Sequence, residues 1–122
     1  MELHTLALLS FLLAFKHSIC DLAIQRLYFT DKSNYWDKVA HLHYFHHAVG
    51  SFLVGFIIGP QFAFTIAIID YVLHWHIDYY KTLIRKALKL EETDYGFWVL
   101  QTADQAAHFL TYYCFLLLAI WW

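Results

Sequence analysis

Eight residues able to bind a metal fall into four pairs at a single spacing. They are His17 with Asp21, His43 with His47, His74 with Asp78, and Asp104 with His108. Positions four apart lie on one face of an α-helix, a turn from each other, so both side chains of a pair reach one neighbouring point. Imidazoles mixed with carboxylates form a donor set suited to Zn, Mn or Fe. Nine histidines in the chain make one such pair easy to obtain by chance, but four pairs, one per long segment, are not. Gln25 continues the first stripe by a turn, Lys81 continues the third, and Gln105 flanks the fourth. These three are the candidate catalytic positions beside the ligands, with Lys81 placed to stabilise negative charge.

Three chemistries suit the pattern. Buried carboxylates without cations repel one another and cost free energy inside an apolar medium. A divalent ion removes that repulsion and orients the imidazoles, and helical bundles build dinuclear sites from inward His and carboxylates. On that reading Asp21, Asp78 and Asp104 are the candidate bridging ligands. A metal-free Asp–His network could instead tie the helices together. An Asp–His chain could also relay protons or ions.

The elements that must position these residues follow from the breaks in the chain. Gly59-Pro60, Asp31-Lys32-Ser33-Asn34 and Leu90 to Asp94 are the turn and loop signals. They leave four segments, about Leu3–Phe29, Asp37–Ile58, Gln61–Lys89 and Asp94–Trp122. Each exceeds the roughly 20 helical residues that cross a hydrocarbon core. At about 1.5 Å per residue, most of the paired ligands lie roughly 8–20 Å from the charged loops. The chain of 122 residues reads as a single all-α domain, residues 1–122, folded as a four-helix transmembrane bundle.

Composition agrees. The chain is 61% hydrophobic, 20% aromatic and 15% charged, against about 25% charged in soluble domains. Too few charges remain to cover a small soluble protein; lipid is the expected partner. A net charge of −2 with no basic run gives nucleic acid nothing to bind. Leu6 to Phe15 has the apolarity of a signal peptide but no basic flank or Ala-x-Ala cleavage pattern, so it reads as the start of a retained helix. Seven of the eight Lys and Arg lie near two loops: Arg26, Lys32 and Lys38, then Lys81, Arg85, Lys86 and Lys89. The positive-inside rule places those loops in the cytoplasm and both termini outside, with Trp121 and Trp122 at the outer interface.

Two helical hairpins result, and His17-x-x-x-Asp21 recurs as His74-x-x-x-Asp78 near the end of the first helix of each. This weak parallel repeat predicts a pseudo-two-fold axis along the membrane normal. Lys16 and Asp70 fall at similar depth and suit a buried ion pair, unless Lys16 snorkels to a cavity. His43-x-x-His46-His47 matches one histidine box of membrane desaturases and hydroxylases, but His41 and His46 lie off the His43/His47 face. Cys20 and Cys114 read as apolar packing residues. The Tyr and Trp residues read as lipid-facing or interfacial.

The sequence resembles a family of small bacterial and phage integral-membrane proteins known as a domain of unknown function. The resemblance rests on His17-x-x-x-Asp21-x-x-x-Gln25, His74-x-x-x-Asp78-x-x-Lys81 and Asp104-Gln105-x-x-His108, plus a second-helix histidine that His43 or His47 supplies. It covers nearly the whole chain and implies residence in the bacterial inner (cytoplasmic) membrane. The family offers no established activity. There is a looser similarity to membrane-bound metal-dependent hydrolases. The expected function is therefore metal-dependent hydrolysis of a lipid-like substrate; the alternative is an ion- or proton-conducting or assembly subunit, as a homo-oligomer or part of a larger membrane complex.

Overall fold

A computed structural model describes all residues, Met1–Trp122. The protein is all-helical with no strands. Its elements are α1 (Leu3–Ser18), continued by a π-helical stretch (Ile19–Ile24) and a 3-10 turn (Gln25–Leu27), then α2 (Lys38–Gly55), α3 (Pro60–Ala87) and α4 (Tyr95–Trp121). The segments read from the sequence agree with these helices to within a few residues at each end.

Local chemistry accounts for the boundaries. The Asp37 carboxylate accepts the Ala40 N–H at 2.8 Å, capping an otherwise unpaired donor at the start of α2. Gly59 takes a φ of 153°, which side chains disfavour, and Pro60 occupies the first turn of α3, where its missing N–H costs nothing. Between them α2 and α3 touch closely: a Cβ built on Gly55 would lie 2.6 Å from the Ala63 Cα. Before α4, the Asp94 carboxylate accepts the Glu91 N–H at 2.8 Å and closes the loop.

The first segment departs from expectation. It is not α-helical throughout, because the chain widens into a π-turn over Ile19–Ile24. Nothing in that local sequence favours a π-turn. Asp21 sits within it and faces three imidazoles from α2 and α3, and π-turns do gather at functional sites.

The four helices place the α2–α3 turn and both termini at one end, where the Phe62 and Trp122 rings meet at 5.4 Å. Leu9, Leu13, Phe62, Ile66, Phe115 and Ala119 form the apolar core of that end. The other half of the interior is polar. Of 23 buried residues, 11 are polar or charged, whereas Asp and Lys are almost never buried in soluble domains. Large apolar side chains cover the outside instead, among them Phe11, Phe15, Leu53, Phe64, Ile68 and Leu110.

By length and composition, one stretch is apolar enough to cross a membrane unaided: Leu3–Leu27, with mean hydropathy 1.6. The other helices have 18, 28 and 27 residues, or about 27, 42 and 40 Å. They are long, but their buried ionisable groups lower their hydropathy.

Candidate metal centre

All eight predicted ligands converge in the polar half of the bundle. Asp21 Oδ1 lies 2.8 Å from His47 Nε2, 3.2 Å from His43 Nε2 and 3.7 Å from His74 Nε2. Its other oxygen is 3.1 Å from His17 Nε2. Asp78 Oδ2 lies 3.3 Å from His74 Nε2 and 3.5 Å from His43 Nε2, and Asp78 Oδ1 lies 3.1 Å from His108 Nε2. Asp104 Oδ1 is 3.5 Å from His108 Nε2. Three overlapping groups of donor atoms lie within 4.8 Å of one another: Asp21, His43, His47 and His74; His17, His74 and His108; Asp78, Asp104 and His108. Such buried groups could hold a metal ion. Donors about 2.1 Å from one ion would stand about 3.0–3.4 Å apart in octahedral or tetrahedral arrangement, close to most of these separations.

Hydrogen bonding alone leaves the cluster incomplete. Both ring nitrogens of His74, His43 Nε2 and Asp104 Oδ1 are buried with no hydrogen-bond partner. Buried polar atoms are almost always paired, and an unpaired one costs about 1–3 kcal/mol. The His74 side chain is fully enclosed, stacked between His47 and His108 with ring centroids 3.6 and 4.0 Å away. A cation within the Asp21 group would meet the Nε2 atoms of His74 and His43, and one between Asp78, Asp104 and His108 would meet Asp104 Oδ1.

The outer nitrogens of two cluster histidines meet tyrosines. His17 Nδ1 is 2.9 Å from the Tyr112 hydroxyl, and His43 Nδ1 is 3.3 Å from that of Tyr28. Such partners fix ring orientation around metals. Sequence reading gave the tyrosines no role, and no spacing signal would have exposed one, because both contacts are made between helices or across a loop. His46 stays outside the cluster on Tyr28, so the His43-x-x-His46-His47 box does not act as a unit. His41 is likewise separate, bonding to Tyr71 at 2.6 Å and to the Tyr35 carbonyl at 3.0 Å.

His47 differs from the rest. The expected Lys16–Asp70 ion pair is present and buried. The same ammonium donates to the His47 carbonyl at 3.2 Å and to His47 Nδ1 at 3.3 Å. An ammonium has no lone pair, so Nδ1 accepts. In neutral His47 the proton then sits on Nε2, which donates to Asp21. Ser51 also donates to Asp70, at 2.6 Å. Gly50 makes this possible: the Lys16 stem passes 3.0 Å from where its Cβ would be.

The candidate catalytic residues lie around the mouth. Gln105 Oε1 is 3.2 Å from His17 Nε2, and Lys81 Nζ is 3.4 Å from Asp104. Gln25 touches Lys32 rather than a ligand, at 3.3 Å. Lys32, read from sequence only as a loop charge, reaches in to bond Asp78 at 2.6 Å. A cleft of about 390 Å³ opens onto His17, Asp21, Asp78 and Asp104 between the first and fourth helices.

No family model matches this chain, and no curated protein or solved structure does either.

Proposed function

We propose that the protein is an integral membrane metalloenzyme, a hydrolase acting on a lipid-like substrate at an intramembrane His/Asp centre near the cytoplasmic face. The observation that carries this is the unpaired, enclosed His74 within a shell of imidazoles and carboxylates that borders an open polar cleft. Membrane residence is supported by the reversed polarity, with charges inside and large apolar side chains outside, and by the span Leu3–Leu27. The loop charges set the two charged loops inside and both termini outside.

His17, Asp21, His43, His74, Asp78, Asp104 and His108 would hold the ion or ions, and the separate Asp21 and Asp78–Asp104 groupings favour two. Zn, Mn or Fe would polarise a substrate oxygen and ease deprotonation of water at neutral pH. The chain's own groups serve the rest. Lys81 stabilises negative charge at the mouth, Gln105 lines the cleft beside His17, and the Nε2 proton of His47 holds the Asp21 carboxylate in place. His47 is thus assigned to positioning Asp21 in place of the ligand role its spacing suggests.

Elemental analysis of detergent-purified protein tests the centre. Near-stoichiometric Zn, Mn or Fe is expected, lost in Asp78→Ala/Asp104→Ala while circular dichroism still reports a helical protein. No metal in either protein, after chelator-free purification and reconstitution, would end this reading. A second reading has its own observation: Lys16, Lys32 and Lys81 already pair with Asp70, Asp78 and Asp104. That pairing favours a metal-free network in a conducting or assembly subunit, the reading left standing by a metal-free result.

A further inference from the structure

The cleft does not end at the metal ligands. It shares Gln25, Lys32 and Lys81 with a second cavity of about 490 Å³ at the loop end of the bundle. That vestibule adds Arg85 and Lys86 from the last turns of α3, so four cations face one carboxylate, Asp31. Asp31 is itself engaged by Lys86 at 3.2 Å. Thr30 and Thr82 also line the vestibule, their hydroxyls donating to the Asp37 carboxylate and the Asp78 carbonyl. The lining is thus rich in cations and poor in free carboxylates, which suits the oxygens of a dianion. Arginine and lysine together are the usual partners of phosphate.

The opposite rim has different chemistry. Leu22 from the first segment and Phe109 from α4 line the cleft, and both are strongly exposed to the outside of the bundle. A molecule lying in this cleft therefore meets cations at one end, the ligand cluster in the middle and apolar surface at its side. Two of the cations are tied to the ligands: Lys32 bonds Asp78 and Lys81 bonds Asp104. An ion taking those carboxylates would compete for the same oxygens and leave both ammonium groups available to an anion.

We propose that the cleft and vestibule bind an amphiphile with a phosphomonoester headgroup, which makes phosphomonoester lipids the substrate class of this site. The assignment of a substrate rests on the cluster being a metal centre; the binding itself rests on the vestibule. The phosphate lies among Lys32, Lys81, Arg85 and Lys86, and the apolar chain leaves past Leu22 and Phe109. Free phosphate shares the headgroup chemistry but makes no use of that apolar rim.

The test uses the full chain in phosphatidylcholine nanodiscs doped with phosphatidic acid, with phosphatidylserine as the anionic control. Bound lipid is counted by native mass spectrometry and metal by elemental analysis on the same sample. Phosphatidic acid should be retained over phosphatidylserine, and Arg85→Gln/Lys86→Gln should lower that retention about tenfold or more, by the usual contribution of cations near an anionic headgroup. Neither substituted residue touches the ligand cluster, so metal content should not change. Arg26→Gln/Lys89→Gln removes two cations outside the vestibule and should have little effect. Equal retention of phosphatidylserine, or an equal loss in the Arg26/Lys89 variant, would reduce the effect to general surface attraction and overturn the proposal. Competition by inorganic phosphate with no lipid retained would overturn it as well. A metal-free protein that still selects phosphatidic acid through Arg85 and Lys86 would refute the metalloenzyme reading and leave the binding site standing.

Discussion

Among single residues, His74 and His46 make the sharpest contrast. Both are α-helical histidines in the polar half, but His74 is enclosed and unpaired while His46 is bonded to Tyr28 outside the cluster. His74→Ala should abolish stoichiometric metal, and His46→Ala should keep it, as measured by elemental analysis. His47 should carry its proton on Nε2, the opposite of a histidine ligated through that atom; ¹⁵N shifts of the imidazole nitrogens would report this directly. Lys16→Met leaves Asp70 a buried, uncompensated carboxylate and should destabilise by about 3–5 kcal/mol, whereas Lys16→Met/Asp70→Leu should recover much of the loss. A thermal melt in detergent would compare the two. The eight-residue cluster was legible in the sequence because helical spacing alone puts both members of each pair on one face. Lys32, Tyr28 and Tyr112 were not, since loop closure and contacts between helices bring them there and no periodicity encodes those.

Individual elements show the same division. Turn chemistry exposes the helix ends: Gly59-Pro60 reads as a stop and start from sequence, and the structure adds Asp37 as the cap of α2, both working through bonds within a few residues. The π-turn at Ile19–Ile24 was invisible, because no residue type or spacing within that stretch marks it. Pairing of helices was also only half legible. The hairpins expected from the charged loops are present in the topology, but the closest approach joins α2 to α3 across the short turn, where Gly55 meets Ala63. Gly55→Val should force those backbones apart and cost about 1–3 kcal/mol, lowering the melting temperature without changing helical content.

For the whole molecule, composition fixed an apolar exterior, and the structure places 11 polar residues within it. Cysteines introduced singly at Ser33 and Glu92 should react with impermeant thiol reagents only from the cytoplasmic side in intact cells, in a background with Cys20 and Cys114 replaced; labelling of either from outside would overturn the proposed orientation. The Lys16–Asp70 pair has a further consequence, for biosynthesis. By length and composition the first helix is apolar enough to cross a membrane, whereas α3 carries Asp70 and, about 12 Å further along, Asp78. On the proposed membrane reading, an early-inserted α1 would display an ammonium that neutralises the Asp70 carboxylate arriving later on α3, and so would serve as its docking site. Lys16→Leu should therefore leave α1 embedded but increase the fraction of nascent chains in which α3 remains accessible to protease. The ion pair would then govern the order in which the bundle is assembled as well as its final fit.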